Sequence, residues 1–273
     1  LPSPYWTSYI GHIQVARGAP KFIPVYEKDE WALTCEELEK AITPKSRILI
    51  LTSPANPTGA VIDKKTLEGI ADLAKKHDLV VLSDEVYRKI RYSDEPYVSI
   101  ASLPGMAERT IVIDSFSKTY AMTGWRIGYA MGPAHVIAAM VRLIEASVSC
   151  VFAPFQYAGI EALENSDGPV AEMVAKYARR RKVMCEGINR IKGLSCVWPK
   201  GAFYVMANIK KLNIPSKEFA VRLLEKRGVV VVPGSGLGAN GEGYLRMTFA
   251  ANEQMIQEGL NRIEDFIQKY ISA

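Results

Sequence analysis

Three short apolar runs in the first half of the chain restrict its possible folds more than any other feature of the sequence. They are R-I-L-I-L from Arg47 to Leu51, L-V-V-L from Leu79 to Leu82 and T-I-V-I from Thr110 to Ile113. Runs that are apolar on both faces are typical of strands buried in a parallel sheet. They begin about 31 residues apart, which is the length of a strand–helix–strand unit. The pattern therefore predicts an α/β fold with a mostly parallel sheet.

The second half of the chain has a different pattern, in which strand-like segments alternate with longer amphipathic helices. The pair Gly168-Pro169 marks the change, so we predict a large domain over residues 1–168 and a smaller α+β domain over residues 169–273. In the smaller domain, we expect Ser216 to cap a helix that ends at Arg227, before Gly228. The remaining periodic segments are predicted as helices over 64–76, 134–144, 155–163, 170–191 and 252–270, and as strands over 203–209, 229–232 and 244–249.

The composition limits the classes of protein to which the chain can belong. The net charge of +5 is small for 273 residues and the basic residues are scattered, which argues against a nucleic-acid partner. No apolar run approaches the roughly 18 residues that a membrane helix needs. Four cysteines without a C-x-x-C pair favour a reducing cytosol. The three histidines are far apart, so no metal site is predicted. We therefore expect a cytoplasmic globular protein that binds neither nucleic acid nor membrane.

Polar side chains follow each of the three apolar runs. S-P-A-N-P-T-G begins at Ser53, S-D-E-V-Y begins at Ser83 and D-S-F-S-K begins at Asp114. Because ligands of open α/β sheets bind beyond the carboxyl ends of the strands, we expect these three segments to line one site. The segments would bring together an amide, a carboxylate, a phenol, several hydroxyls and an amine.

This combination of side chains suits pyridoxal 5′-phosphate. The amine of Lys118 can form a Schiff base with the aldehyde of the cofactor. The cofactor's pyridinium nitrogen needs an acidic partner, which Asp84 can supply, because an opposite charge favours the protonated ring. Hydrogen bonds to the ring oxygen and to the phosphate are predicted from two further sets of residues, Asn56 and Tyr87 for the oxygen, and Ser115, Ser117 and Arg126 for the phosphate.

The same residues resemble a known family. S-F-S-K-T-Y-A-M-T-G-W-R-I-G-Y from Ser115 is similar to the lysine signature of the class I/II aminotransferases, which are fold type I pyridoxal-phosphate enzymes. The segments from Ser53 and Ser83 resemble the family's asparagine turn and its aspartate–tyrosine strand end. V-P-G-S-G-L-G from Val232, followed by Y-L-R-M-T-F from Tyr244, resembles its C-terminal substrate segment. The resemblance extends from Leu1 to the C-terminal helix, in family order, and implies a three-layer sandwich with a smaller C-terminal domain.

The resemblance also implies a role for individual residues. Lys118 would carry the cofactor and shuttle a proton, and Asp84 would pair with the ring nitrogen. Arg246 would bind the substrate α-carboxylate with help from Asn56. The remaining implied contacts are Tyr87 and Asn56 to the ring hydroxyl, Ser115, Arg126 and Ser117 to the phosphate, and Trp6, or alternatively Tyr5, stacked on the cofactor ring. Cis peptide bonds before Pro57 and Pro4 and a homodimer are further implications of the family.

Several family features precede the segment that contains Trp6. They are the first phosphate-binding loop, an N-terminal segment that covers the substrate, and a tyrosine that reaches the partner subunit. The chain opens at Leu1 rather than at methionine. We therefore expect a further N-terminal portion in the intact protein.

The predicted function is transfer of an amino group between an L-amino acid and a 2-oxo acid. Two alternatives remain open, a carbon–sulfur lyase with the same cofactor and the aminotransferase-like effector domain of a transcription regulator. The stretch from Val148 to Phe155 lacks an arginine that some aspartate-specific members have, which weakens a dicarboxylate substrate. Aspartate, aromatic and alanine-type donors all remain open.

Overall fold

The computed structural model describes residues 1–271, and the chain forms two compact units. Residues 34–54 and 61–174 form the first, which we call the parallel-sheet unit. Residues 1–33, 55–60 and 175–271 form the second, the antiparallel-sheet unit. These units differ from the predicted domains, because residues 1–33 and 55–60 group with the C-terminal part and because residue 168 falls inside a helix.

The helices and strands follow one another in an order that fits the periodicity of the sequence. The strands are β1 (Pro2–Ser3), β2 (Ile23–Pro24), β3 (Ile48–Thr52), β4 (Val80–Asp84), β5 (Thr110–Ser115), β6 (Gly128–Met131), β7 (Ser195–Cys196), β8 (Tyr204–Asn208), β9 (Val232–Pro233) and β10 (Tyr244–Thr248). The helices are α1 (Ser8–Val15), α2 (Cys35–Ala41), α3 (Lys64–Lys76), α4 (Phe116–Thr119), α5 (Ala134–Val148), α6 (Ala153–Asn165), α7 (Asp167–Arg190), α8 (Ser216–Arg227) and α9 (Glu253–Tyr270).

The parallel-sheet unit is built on a sheet with the strand order β3-β4-β5-β6. The first three strands are parallel and β6 is antiparallel to β5, so the predicted α/β class with a mostly parallel sheet is confirmed. Helix α3 connects two of the parallel strands and has the bounds predicted from its apolar spacing. Asp63 caps it by accepting a hydrogen bond from the backbone N–H of Thr66 at 2.8 Å. Its apolar side chains Leu67, Ile70, Ala71, Leu73 and Ala74 are all buried.

The antiparallel-sheet unit contains a second sheet with the order β7-β8-β10-β9. All its strand pairs are antiparallel. Helices α8 and α9 pack together, with the rings of Phe219 and Phe266 edge to face at 5.2 Å, and both residues are fully buried. The positive φ of 64° at Gly228 ends α8, as expected for a C-terminal glycine.

Two local predictions in this unit are wrong. Ser216 does not cap α8, because it is the first helical residue and Pro215 takes the cap position. Its backbone N–H and its hydroxyl instead donate to the carboxylate of Glu242, both at 2.8 Å. The predicted strand over 229–232 lies further along the chain, as β9. The residues that pair with Arg246 and Leu245 of β10 are Val232 and Pro233. No helix within residues 1–271 is long and apolar enough to cross a membrane.

Candidate active site

Lys118 and Asp84 lie at the same edge of the parallel sheet. Asp84 is the last residue of β4, and Lys118 lies in α4, the short helix that directly follows β5. Strands β4 and β5 are parallel neighbours, and Asp84 pairs with Ile113 near the end of β5. Both side chains are half-buried. The topology therefore brings the predicted amine and acid to the carboxyl ends of two adjacent strands, which is where open α/β sheets bind ligands.

Ser115 forms the junction between β5 and α4. Its extended backbone makes it the N-cap of α4, and its Oγ accepts a hydrogen bond from the N–H of Ser117 at 3.1 Å. The same hydroxyl donates its proton to the carbonyl of Ile127 at 3.1 Å. A serine hydroxyl has one proton, so a phosphate contact from Ser115 requires this hydroxyl to rotate away from Ile127.

Tyr87 and Arg126 lie on two other segments of this unit. Tyr87 follows β4 and is buried, with 4% of its surface exposed. Arg126 is exposed, has a left-handed backbone with φ of 54°, and donates from Nη1 to the carbonyl of Thr123 at 2.9 Å. This conformation is uncommon for a residue with a side chain and is concentrated at functional sites.

A cluster around the buried Asp114, beside these residues, was not predicted from the sequence. The carboxylate of Asp114 accepts hydrogen bonds from Arg88 Nε at 2.5 Å, from the Tyr129 hydroxyl at 2.8 Å and from the Ser115 N–H at 2.7 Å. Arg88 Nη2 also donates to the Tyr129 hydroxyl at 3.0 Å. Arg88 and Asp114 are separated by 26 residues in the sequence, so no local spacing could have indicated the contact.

A second buried acid, Glu85, directly follows Asp84. Its Oε1 accepts hydrogen bonds from the hydroxyls of Ser83 at 2.9 Å and Ser99 at 2.5 Å, and only 2% of the residue is exposed. Burial raises the pKa of this carboxyl above its usual value, although the two hydroxyls and the charge of Arg88 act in the opposite direction.

The raised pKa of Glu85 predicts a decrease in stability as the pH rises. The folded state binds this proton more tightly than the unfolded state, so the free energy of unfolding falls between the ordinary carboxyl pKa and the raised folded pKa. Glu85→Gln keeps the oxygen that accepts from both serines but cannot ionise. We expect its free energy of unfolding, measured by urea titration across this range, to exceed that of the wild type increasingly as the pH rises. A constant difference at every pH would contradict the prediction, and exposed Glu68→Gln is the matched control.

In the antiparallel-sheet unit, Arg246 and Asn56 are in direct contact. Arg246 lies in the middle of β10 and donates from Nη1 to Asn56 Oδ1 at 2.9 Å. Its guanidinium carbon also lies 4.7 Å from the centre of the Tyr204 ring, a cation–π contact that the sequence did not indicate. Asn56 is held in a tight turn in which Gly59 has φ of 70°, and a Cβ on Gly59 would clash with Pro199 Cβ. Glycine is therefore required at this position.

Trp6 lies just before α1 and is 39% exposed. Its ring meets Tyr9 edge to face, with 5.4 Å between the ring centres. Tyr5, the alternative stacking residue, lies parallel to Phe22 at 5.2 Å. The expected cis peptide bonds before Pro4 and Pro57 are both confirmed, and a third precedes Pro54.

Comparison with known proteins decides the family. The family model described as aminotransferase class I and II matches residues 1–263. The chain belongs to the class I and II aminotransferases. It is 45% identical to aromatic-amino-acid aminotransferase 2 of Thermococcus litoralis and 44% identical to an aspartate aminotransferase of Pyrococcus abyssi. Each alignment covers 98% of this chain and 69% of the relative.

Solved structures agree with this assignment. The aromatic aminotransferase from Pyrococcus horikoshii superimposes with a TM-score of 0.95 at 44% identity, covering 98% of this chain and 72% of that one. An aspartate aminotransferase from Thermus thermophilus solved with maleate superimposes with a TM-score of 0.91 at 37% identity, covering 97% and 68%. The predicted aminotransferase function is confirmed, and these relatives favour it over the lyase and the regulator domain.

Proposed function

We propose that this aminotransferase binds pyridoxal 5′-phosphate through Nζ of Lys118 and uses it to move an amino group between an L-amino acid and a 2-oxo acid. One observation carries the proposal. Asp84 ends β4, and Lys118 follows the adjacent parallel strand β5, so both lie at the same edge of the sheet. An amine and an acid that contact opposite ends of one ring must lie close together in this way.

The side chains of the parallel-sheet unit fit this cofactor chemically. An amine, a carboxylate, a buried phenol, two hydroxyls and a guanidinium are supplied by Lys118, Asp84, Tyr87, Ser115, Ser117 and Arg126. The cofactor, when bound, supplies an aldehyde that condenses with amines and a ring that withdraws electrons from the substrate Cα. A set limited to carboxylates and imidazoles would suit a metal instead, and residues 1–271 contain no such group of three or more.

Each side chain then has a defined task. Lys118 Nζ would hold the cofactor through its aldehyde and, once freed, would act as the base that takes the proton from the substrate Cα. Asp84 keeps a proton on the ring nitrogen, because a carboxylate favours the charged form of a neighbouring base. Tyr87 donates a hydrogen bond to the ring oxygen. Ser115, Ser117 and Arg126 bind the phosphate.

Arg246 is proposed to bind the α-carboxylate of the substrate, with Asn56 beside it. The contact with Asn56 Oδ1 uses one N–H of the guanidinium, and the ring of Tyr204 supports its face. These two contacts restrict the orientation of the Arg246 guanidinium before a carboxylate binds, which lowers the entropy cost of binding. Trp6 is proposed to stack on the cofactor ring.

Replacing Arg246 with lysine should weaken the use of every amino-acid donor. Lysine keeps the positive charge but cannot form two parallel hydrogen bonds to a carboxylate. We expect kcat/KM to fall by about 10- to 100-fold, the equivalent of losing one hydrogen bond between charged groups. Steady-state kinetics with at least two donors of different side chain measure the change. Arg222→Lys, at an exposed ion pair on α8, is the matched control, and equal kcat/KM values for both variants would refute the role of Arg246.

The names of the relatives suggest which donors to test. Aromatic amino acids and aspartate are the substrates in the names of the two relatives with 45% and 44% identity, and a Streptococcus mutans relative with 37% identity is named for asparagine. We propose that this enzyme accepts aromatic or dicarboxylic donors, acts as a homodimer and works in the cytoplasm. A panel of donors with 2-oxoglutarate as the acceptor distinguishes the two donor classes.

Covalent labelling tests the proposed attachment site. The full-length protein is loaded with pyridoxal 5′-phosphate and reduced with borohydride, and its peptides are analysed by mass spectrometry. We expect the pyridoxyl group on the peptide that contains Lys118. Lys89→Arg, which changes a lysine of the same unit that pairs with Asp167, should leave the label in place, whereas Lys118→Arg should remove it. A label on any other lysine, or no label, overturns the proposal.

A further inference from the structure

We propose that Arg88, Asp114 and Tyr129 form a positioning cluster that fixes the cofactor-binding segments of the parallel-sheet unit relative to one another. The inference rests on the proposed function of Lys118. None of the three side chains is assigned a contact with cofactor or substrate. The cluster would act through the neighbouring residues, by limiting the range of positions that they can take.

The location of the cluster in the chain is the first reason. Arg88 directly follows Tyr87, and Asp114 precedes Lys118 by four residues in the sequence. Tyr129 lies on β6 and is the cross-strand partner of Asp114 on β5. The hydrogen bonds therefore join the turn after β4, the end of β5 and the strand that follows Arg126. These are the three segments of this unit that carry the proposed cofactor contacts.

The geometry of Asp114 is the second reason. The residue is 5% exposed, and its two oxygens accept from three donors on three different segments. A buried carboxylate held by this number of donors has little freedom to move, because each displacement would leave a polar group without its partner. The bond to the N–H of Ser115 transmits this restriction directly to the cap of α4, the helix that carries Lys118.

The protonation states of the cluster favour positioning over acid–base catalysis. Burial, together with the hydrogen bond to Asp114, raises the pKa of Tyr129 to about 12. Burial opposes the charge of Arg88, but Asp114 and Tyr129 outweigh it and raise its pKa. Neither group exchanges its proton near neutral pH, whereas an efficient general acid or base has a pKa close to the working pH. Both therefore remain hydrogen-bond donors while the enzyme works.

Two conservative substitutions test the proposal in the full-length protein loaded with cofactor. Tyr129→Phe removes only a hydroxyl and leaves the ion pair of Arg88 with Asp114, so it should fold. Asp114→Asn keeps the shape of the side chain and removes its charge. We expect kcat to fall by about 10- to 100-fold in each, as for a small misplacement of reacting groups, with KM changed less than about twofold. The pH titration of the visible absorption band of the bound cofactor, without substrate, should also shift.

Matched controls separate positioning from loss of structure. Tyr157→Phe changes a tyrosine that is 74% exposed on α6, and Asp78→Asn changes a carboxylate with 96% of its side chain exposed. Both controls should retain the wild-type kcat and band titration. Thermal melting of each variant gives the fraction that is folded in the assay.

The outcomes are distinct. Wild-type kcat and band titration in folded Tyr129→Phe would overturn the proposal, as would a loss of kcat fully explained by its unfolded fraction. If Asp114→Asn does not fold, Tyr129→Phe alone decides. Absence of the pyridoxyl label on Lys118 of the wild type is a separate result, because it would refute the proposed function before any variant is considered.

Discussion

Replacing Lys118 with alanine is expected to reduce transamination by about 10⁴-fold, at the upper end of the range for loss of a proton-transfer group. The expected loss is this large because two tasks are proposed for this one side chain, covalent attachment of the cofactor and movement of the Cα proton. Single-turnover kinetics with a saturating donor measure the rate of the proton transfer itself. The variant should still bind cofactor, because the contacts proposed for Asp84 and the phosphate-binding residues remain.

The control for this experiment is Lys89→Ala, which removes a partly exposed lysine of the same unit. We expect its single-turnover rate to be within about twofold of the wild type, the range typical of a surface change without a catalytic role. A Lys118→Ala enzyme that retained more than a small fraction of the wild-type rate would show that another group moves the proton. Circular dichroism of both variants establishes that they are equally folded.

Replacing Asp84 with asparagine is expected to lower kcat by on the order of 10²- to 10³-fold, as for removal of one preorganised electrostatic contact. Asparagine has nearly the same shape but no charge, so the ring nitrogen would lose the partner that we propose keeps it protonated. Removal of the Cα proton, the task proposed for Lys118, would then be slower, because an unprotonated ring would withdraw electrons less strongly. Because the change acts on the chemistry rather than on recognition of the carboxylate, KM should change much less than kcat.

A cofactor analogue makes the second prediction sharper. Pyridoxal phosphate methylated at the ring nitrogen has a fixed positive charge and does not need a carboxylate to keep it. We expect this analogue to recover part of the lost kcat in Asp84→Asn but to give no gain in the wild type. The control variant Asp94→Asn, at an exposed loop position of the same unit, should have the same kcat as the wild type with either form of the cofactor. An unchanged kcat in Asp84→Asn, or a lowered kcat that the analogue does not raise at all, would mean that Asp84 does not face the ring nitrogen.

Local patterns in the sequence determined the architecture of the parallel-sheet unit. The apolar runs predicted β3, β4 and β5, and the apolar spacing over residues 64–76 predicted α3 with its observed bounds. These predictions succeed because strand burial and helix periodicity are visible within a few residues. The common edge of Asp84 and Lys118 was predictable for the same reason, since parallel strands bring the residues that follow them to one side.

Only the tertiary structure decided which distant residues are in contact. The bond between Arg246 and Asn56 spans 190 residues, and the cluster at Asp114 joins Arg88 and Tyr129 across 41 residues. The hydrogen bond from the Ser216 hydroxyl to the Glu242 carboxylate, which replaces the predicted helix cap, is also a contact between distant residues. Periodicity records which face of an element is buried but carries no information about its partner. The partner is set by strand register and side-chain packing, which exist only once the chain has folded.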